Sequence, residues 1–344
     1  MKNTDNEIIT SLKKLLSGQN GTIVLVTHEN PDGDAIGSAI GLAEVLNNSG
    51  RDVKIIVPND YPFFLKWFRS DLEILIYDHN KRKAKRILAD ASLLICLDFN
   101  DPKRVANMEK KLTQFSMPKV IIDHHPYPVD FADYLISETN YSSTAELVYK
   151  IIKEMDFSKY INPAAAEALY TGIMTDTGSF SHNISRPEVF KAVSELMAWD
   201  VDTDKIQSAV YHNFSNSRMK LLGYCLNKKM EVLPEYRSAV IYISKKELEE
   251  YDFKPGDTEG YVNYPLSIKN IVFSALLIEK KNCIKASFRS KGNFPANLFA
   301  QEHFNGGGHV NAAGGESTLS LSETVEMFKQ LLKDYEHLLK ETII

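Results

Sequence analysis

The stretch TIVLVTHENPDGDA, residues 22–35, decides the fold. Its apolar run has no polar alternation, which is the pattern of a strand buried on both faces of a helix-covered parallel sheet. The run stops on His28, Asp32 and Asp34 and passes into AIGSAIGLAEVL, which reads as a helix from about Ala35 to Leu46 that ends near Gly50. A strand that ends on ligand-type side chains and turns into a helix is a βα unit with its chemistry at the carboxyl end.

Similar units follow. DVKIIVP (52–58), SLLICLDF (92–99), a helix after Pro102 and KVIIDHH (119–125) continue the alternation, so an α/β fold with a doubly wound parallel sheet is expected. SSTAELVYKIIKEM (142–155) and PAAAEALYTGIMTDTG (163–178) read as helices, with Asp176 delivered from the end of the second. The expected organisation is a catalytic domain over 1–190, a helical connector over 191–231, and a smaller α/β domain over 232–344. That last domain is expected to hold the strands SAVIYIS, NIVFSALLIEK and CIKASFRS and the closing helix LSETVEMFKQLLKDYEHLL.

Four segments thus bring His28, Asp32, Asp34, Asp98, Asp123, His124, His125 and Asp176 to strand or helix ends. Singly, Asp32 or Asp34 reads as a helix N-cap, and Asp176 in TDTG as a turn residue. Together they form a carboxylate-rich set with few imidazoles and no thiolate, which suits hard or borderline divalent ions such as Mn²⁺ and Mg²⁺. Crowded aspartates repel one another unless cations neutralise them, and a pair of ions in such a site is suited to activating water against a phosphoryl group.

In this order the segments resemble the four motifs of the DHH phosphoesterase superfamily. GGGHVNAAGG (306–315), preceded by ASFRS (286–290), resembles the glycine-rich loop of the associated DHHA1 domain. The likeness spans nearly the whole chain and is strongest to bacterial nanoRNase/pAp phosphatase proteins, which degrade very short RNAs to mononucleotides and in many cases convert 3′-phosphoadenosine 5′-phosphate (pAp) to AMP. The resemblance implies two Mn²⁺ ions per subunit, with Mg²⁺ or Co²⁺ as substitutes. His28, Asp32 and Asp98 would hold one ion; Asp34, Asp98, His124 and Asp176 would hold the other. Asp98 would bridge them, Asp123 would orient His124, and His125 would face the scissile phosphate as a hydrogen-bond or proton donor. Arg104, Arg289, Gly306, Gly307, Gly308 and His309 would contact substrate. FNDPKR after Asp98 departs from the small-residue run usual in relatives, and Val310 replaces the lysine that many carry after GGGH.

The glycine run has a logic of its own: without Cβ atoms, backbone N–H groups can approach a phosphate closely and adopt positive φ. With 344 residues, 44% hydrophobic and 25% charged, the chain can bury substantial cores. No signal segment or membrane-spanning apolar run is evident, so a cytoplasmic protein is expected. Cys96, Cys225 and Cys283 lack metal spacing and read as buried free thiols.

A net charge of −5 argues against a broad polyanion-binding surface, and so against long nucleic acid as a partner. The one dense basic run, HNKRKAKR (79–86), reads first as a solvated helix face. Short RNA or small nucleotides are the expected substrates, with a homodimer left open. Cyclic di-adenylate or its linear product, inorganic pyrophosphate, and a non-catalytic nucleotide sensor remain the alternatives.

Overall fold

The computed structural model describes residues 5–18 and 21–343. It divides into two compact units, one ending at Asn213 and the other starting at Phe214.

In the first unit, β1 (Thr22–Thr27), β2 (Val53–Val57), β3 (Ile74–Ile76), β4 (Ala91–Leu97), β5 (Lys119–Asp123) and β6 (Tyr134–Ser137) form one sheet in the order β3-β2-β1-β4-β5-β6. Every pair is parallel. The missing alternation in β1 has a simple cause. Ile23 and Leu25 enter the core on one face, Val24 and Val26 enter the core on the other, and all four are fully buried. Helices α1 (Asp5–Gly18), α2 (Gly33–Asn48), α5 (Thr144–Glu154), α6 (Pro163–Asp176), α7 (Pro187–Met197) and α8 (Thr203–Tyr211) pack on the first face; α3 (Lys81–Asp90) and α4 (Glu109–Gln114) cover the second.

The strand order reverses between β1 and β4, where such sheets bind ligands beyond the strands' carboxyl ends. Register places the chemistry there: Thr27 pairs with Leu97 and Leu97 with Ile122, so His28, Asp98 and Asp123 each lie one residue past a single row. Helices α2 and α6 approach closely enough that a Cβ on Gly37 would stand 2.4 Å from the Ala168 carbonyl oxygen. That close packing sets the first turn of α2 against the last turn of α6, which carry Asp34 and Asp176. The segment after Pro102 differs from the expected helix. It is a 3₁₀ stretch, Pro102–Met108, kinked at Ala106 (φ 46°), and only then α4.

The second unit contains α9 (Asn216–Tyr224), β7 (Met230–Leu233), β8 (Ser238–Ile243), α10 (Lys245–Glu250), β9 (Phe273–Glu279), β10 (Ile284–Ser290), α11 (Ala296–His303), β11 (Gly307–His309), β12 (Ala312–Ser317), α12 (Leu321–Asp334) and α13 (Glu336–Glu341). Its sheet runs β11-β12-β10-β9-β8-β7, with β8 and β9 parallel and the other pairs antiparallel. Six buried phenylalanines, Phe273, Phe288, Phe294, Phe299, Phe304 and Phe328, form its core. The segment expected as a connector over 191–231 is shared between the units: α8 belongs to the first and α9 to the second. The expected closing helix breaks at Tyr335 into α12 and α13. Cys96 and Cys225 are buried, whereas Cys283 is only half-buried. Among the described residues no helix is long and apolar enough to cross a membrane.

Candidate metal centre

At the carboxyl edge of the first sheet, two sets of donors converge. His28, Asp32 and Asp98 form one and Asp34, His124 and Asp176 the other; in each set the potential ligand atoms lie within 4.8 Å of one another. Asp98 faces both sets. One carboxylate oxygen is 3.3 Å from His28 Nε2, and the other is 3.8 Å from His124 Nε2. Asp98 sits in left-handed backbone at φ 65°, a conformation that costs a non-glycine residue energy and recurs at functional sites.

Both histidines present the same ring nitrogen. The Nδ1 of His28 lies 2.7 Å from the Glu29 carbonyl oxygen and that of His124 lies 3.2 Å from the Tyr141 carbonyl oxygen. A carbonyl only accepts, so each Nδ1 carries a proton, and each Nε2, turned toward the carboxylates, is the nitrogen left to ligate a metal. Asp32 also caps α2, accepting from the N–H groups of Asp34 and Ala35. Asp34 is gripped by the start of α5: its two oxygens accept from Thr144 N at 2.6 Å and Ala145 N at 2.8 Å. Asp176, the last residue of α6, places a carboxylate oxygen 3.5 Å from His124 Nε2.

Asp123 differs from expectation. Rather than orienting His124, its carboxylate accepts from the His125 backbone N–H at 3.0 Å and lies 2.7 Å from His125 Nδ1. The reason is local: the chain turns immediately after β5, folding His125 back over the Asp123 side chain, while His124 points to the loop at Tyr141. Arg104, in the 3₁₀ stretch, accepts the Glu29 N–H at 2.7 Å through its carbonyl, and its charge bears on His28, Asp123 and His125.

The electrostatics fit bound cations. Burial, then the charges of Asp98, Asp176 and Asp32, push the Asp34 carboxyl well above its usual range. Burial and Asp98 raise Asp123 to about 7. Burial also opposes ionisation of Asp98, but the His28 hydrogen bond and the charges of His28 and His124, both raised above the ordinary imidazole value because their carboxylate neighbours outweigh burial, hold that carboxyl well below the usual range. Burial keeps His125 neutral, its pKa well below the ordinary value. Acids that cannot all ionise without positive charge nearby, beside imidazoles whose Nε2 atoms turn inward, are a donor set suited to divalent ions, which would replace the Nε2 protons.

In the second unit, His309 pairs with Ala312 and Ala312 with Arg289, so Arg289 and His309 lie on one face of the sheet, on the two strands that flank β12. The glycine run departs from the expected open cradle. A Cβ on Gly306 would stand 1.9 Å from the Gly314 carbonyl oxygen, and one on Gly308 (φ 140°) 2.4 Å from that of Ala312. These two glycines are therefore required by the β11–β12 hairpin itself, and of the three only Gly307 faces open space.

Sequence reading passed over Thr144, whose hydroxyl donates to Asp98 at 2.8 Å, and Asn100, whose amide donates to the His125 and Pro126 carbonyls at 2.9 and 3.2 Å. The only signal for Thr144 was the SST that opens α5, which reads as a helix cap.

The DHH family N-terminal domain matches residues 22–173 and the DHHA1 domain residues 237–341. The chain is 28% identical over 321 residues to the bifunctional oligoribonuclease and PAP phosphatase NrnA of Bacillus subtilis, covering 93% of this chain and 95% of the relative. It is 29% identical over 344 residues to the cyclic-di-AMP phosphodiesterase GdpP of B. subtilis, covering 95% of this chain and 50% of that protein. Among solved structures, an exopolyphosphatase-related protein from Bacteroides fragilis matches with a TM-score of 0.94 and 43% identity, over 99% of this chain and 100% of that one. Two matched domains in sequence order, and a likeness running from end to end, place the chain in the DHH phosphoesterase family with a DHHA1 domain following.

Proposed function

We propose that this protein is a divalent-cation-dependent phosphohydrolase that cleaves di- and short oligoribonucleotides to mononucleotides, with pAp as a second substrate. The observation that carries the reading is Asp98 lying between the two donor sets, in a chain similar along its whole length to NrnA. His28, Asp32 and Asp98 would hold one Mn²⁺, and Asp34, Asp98, His124 and Asp176 the other. Bound there, such ions supply Lewis-acid polarisation of the phosphoryl oxygens and of water.

The remaining work falls to the chain's own groups. Thr144 and the start of α5 hold the carboxylates of Asp98 and Asp34 in place. Burial and Asp98 raise the Asp123 carboxyl to about 7, so that the proton shared with His125 Nδ1 can rest on Asp123 and leave the neutral ring an Nε2–H, which donates a hydrogen bond to the phosphate undergoing cleavage. As water oxygen bonds to phosphorus and gives up a proton, the bond to the leaving oxygen breaks and that oxygen takes a proton up. Arg104 adds positive charge beside His125, and Arg289 and His309 recognise the nucleotide.

An activity panel with Mn²⁺ tests the reading: pAp, RNAs of two to ten nucleotides, linear and cyclic diadenylate, and pyrophosphate. Turnover should be fastest on dinucleotides and pAp. Preference for cyclic diadenylate would favour the second reading, which rests on the 29% identity to GdpP. Rapid orthophosphate release from pyrophosphate, or nucleotide binding without turnover, would overturn both.

A further inference from the structure

The buried carboxylate of Glu146 is joined to His124 by hydrogen bonds through one peptide group. The carbonyl that accepts from His124 Nδ1, at 3.2 Å, belongs to Tyr141. The N–H of that same peptide group is on Ser142, and it donates to a Glu146 carboxylate oxygen at 2.8 Å. Glu146, the Tyr141–Ser142 peptide and the His124 ring therefore form one hydrogen-bonded line, with Glu146, Ser142 and His124 all buried. A carboxylate at one end polarises the peptide, and chained hydrogen bonds strengthen one another in a low dielectric. The carbonyl becomes a better acceptor, and the imidazole a more basic ligand at Nε2.

Arg186 holds the carboxylate in place. Its guanidinium donates to the Asn140 carbonyl at 2.7 Å, lies 3.5 Å from the other Glu146 oxygen, and sits 4.6 Å from the centre of the Tyr141 ring. It thereby touches both sides of the peptide that orients His124. Arg186 immediately precedes α7, ten residues after Asp176, so it also ties the chain beyond Asp176 to the loop before α5.

A helix cap is the plain alternative, since Ser143 and Glu146 have the spacing of a capping box. In a capping box, however, the glutamate returns to the N–H of the cap residue itself. Here it bonds one residue earlier, to Ser142, the N–H that shares a peptide with the His124 acceptor. We infer that Glu146, fixed by Arg186, is a positioning residue that sets the orientation and ligand strength of His124 through the Tyr141–Ser142 peptide.

The inference rests on the reading of His124 as a metal ligand, and the experiment separates the two. Metal-free full-length protein, selectively ¹⁵N-labelled at histidine, is titrated with Mn²⁺ by calorimetry and with Mg²⁺ by NMR. The variants are Glu146→Gln, Arg186→Ala, Arg186→Lys and His124→Ala, each checked for thermal unfolding. Glu146→Gln keeps an acceptor for Ser142 but removes the charge. It should weaken one of two ion-binding steps about tenfold, the low end for a residue supporting a ligand, while leaving the other within twofold. It should also shift the His124 Nδ1 resonance upfield without moving that of His28. Arg186→Ala should do the same and Arg186→Lys should partly restore both readouts. In a His124→Ala background, Glu146→Gln should have no further effect on ion binding.

Unchanged ion binding and an unmoved His124 resonance in Glu146→Gln would overturn the inference while leaving the ligand assignment standing. Equal weakening of both steps, or loss only of thermal stability, would reduce Glu146 to a helix cap. A His124→Ala protein that binds both ions normally would instead overturn the assignment of His124.

Discussion

The Thr144 hydroxyl donates to Asp98 at 2.8 Å, so the carboxylate between the two donor sets is steadied by the first residue of α5. Hydrogen bonds to charged groups contribute roughly 1.5–3 kcal/mol. Thr144→Val, which keeps the shape and removes the donor, should therefore lower kcat/KM on a dinucleotide at least about tenfold, and Thr144→Ser should retain most of it. A valine variant within twofold of the parent would show that Asp98 needs no such support.

Chelation should abolish turnover and Mn²⁺ should restore it. Among conservative changes at the presumed ligands, Asp98→Asn should do most damage, because one oxygen faces His28 and the other His124. Losses around metals cost about 10–100-fold even one residue removed from the ion, so a group serving two ions should exceed that range. Near-normal turnover of Asp98→Asn would sink the two-ion assignment.

Adjacent glycines should respond differently to alanine. Gly306→Ala forces a Cβ to 1.9 Å from the Gly314 carbonyl oxygen, so the hairpin must open and unfolding should become easier by about 2 kcal/mol or more. Gly307→Ala enters open space and should leave unfolding unchanged while impairing nucleotide turnover if the backbone there approaches substrate. Denaturant titration and kinetics on the pair check this; equal destabilisation by both would contradict the hairpin geometry.

Glu247 supplies a pH test remote from the metal centre. Burial opposes its ionisation, but hydrogen bonds from Tyr224, Ser244 and Lys229 prevail and lower its pKa from 4.5 to about 2. A depressed carboxyl stabilises the fold above its unfolded pKa, and the contribution fades as pH falls from 4.5 toward 2. Glu247→Gln should therefore be less stable than the parent at pH 7, with the gap narrowing below pH 4.5. A gap that stays constant between pH 7 and pH 3 would mean the charge is immaterial.

Substrate length and salt form the last test. A protein tracking long RNA loses about 10³–10⁵ in affinity between 50 and 200 mM salt, whereas roughly two phosphate contacts, at a slope near −0.7 each, predict about sevenfold. With a net charge of −5, kcat/KM should fall as RNA lengthens beyond a few nucleotides and should weaken only modestly with salt at fixed free Mn²⁺. Steeply salt-sensitive degradation of long strands would instead implicate the groove between α3 and α4, where Lys81, Lys85, Lys110 and Lys111 gather.

Much of this protein is determined by its sequence alone, because the signals are local. Unalternating apolar runs such as TIVLVT imply strands covered on both faces, and their repetition with helices implies a parallel sheet. Ligand-type residues at the ends of those runs must then share one edge, and that requirement alone groups His28, Asp98 and Asp123. Tertiary structure decided the rest, because partners distant in sequence leave no periodic trace. The turn after β5 gave Asp123 to His125 and left His124 to the Tyr141 carbonyl. The start of α5 supplied Thr144 to Asp98, across 46 residues. The pairing of β11 with β12 made Gly306 and Gly308 necessities of their own hairpin, since a clash with a carbonyl of the neighbouring strand exists only once the strands have met.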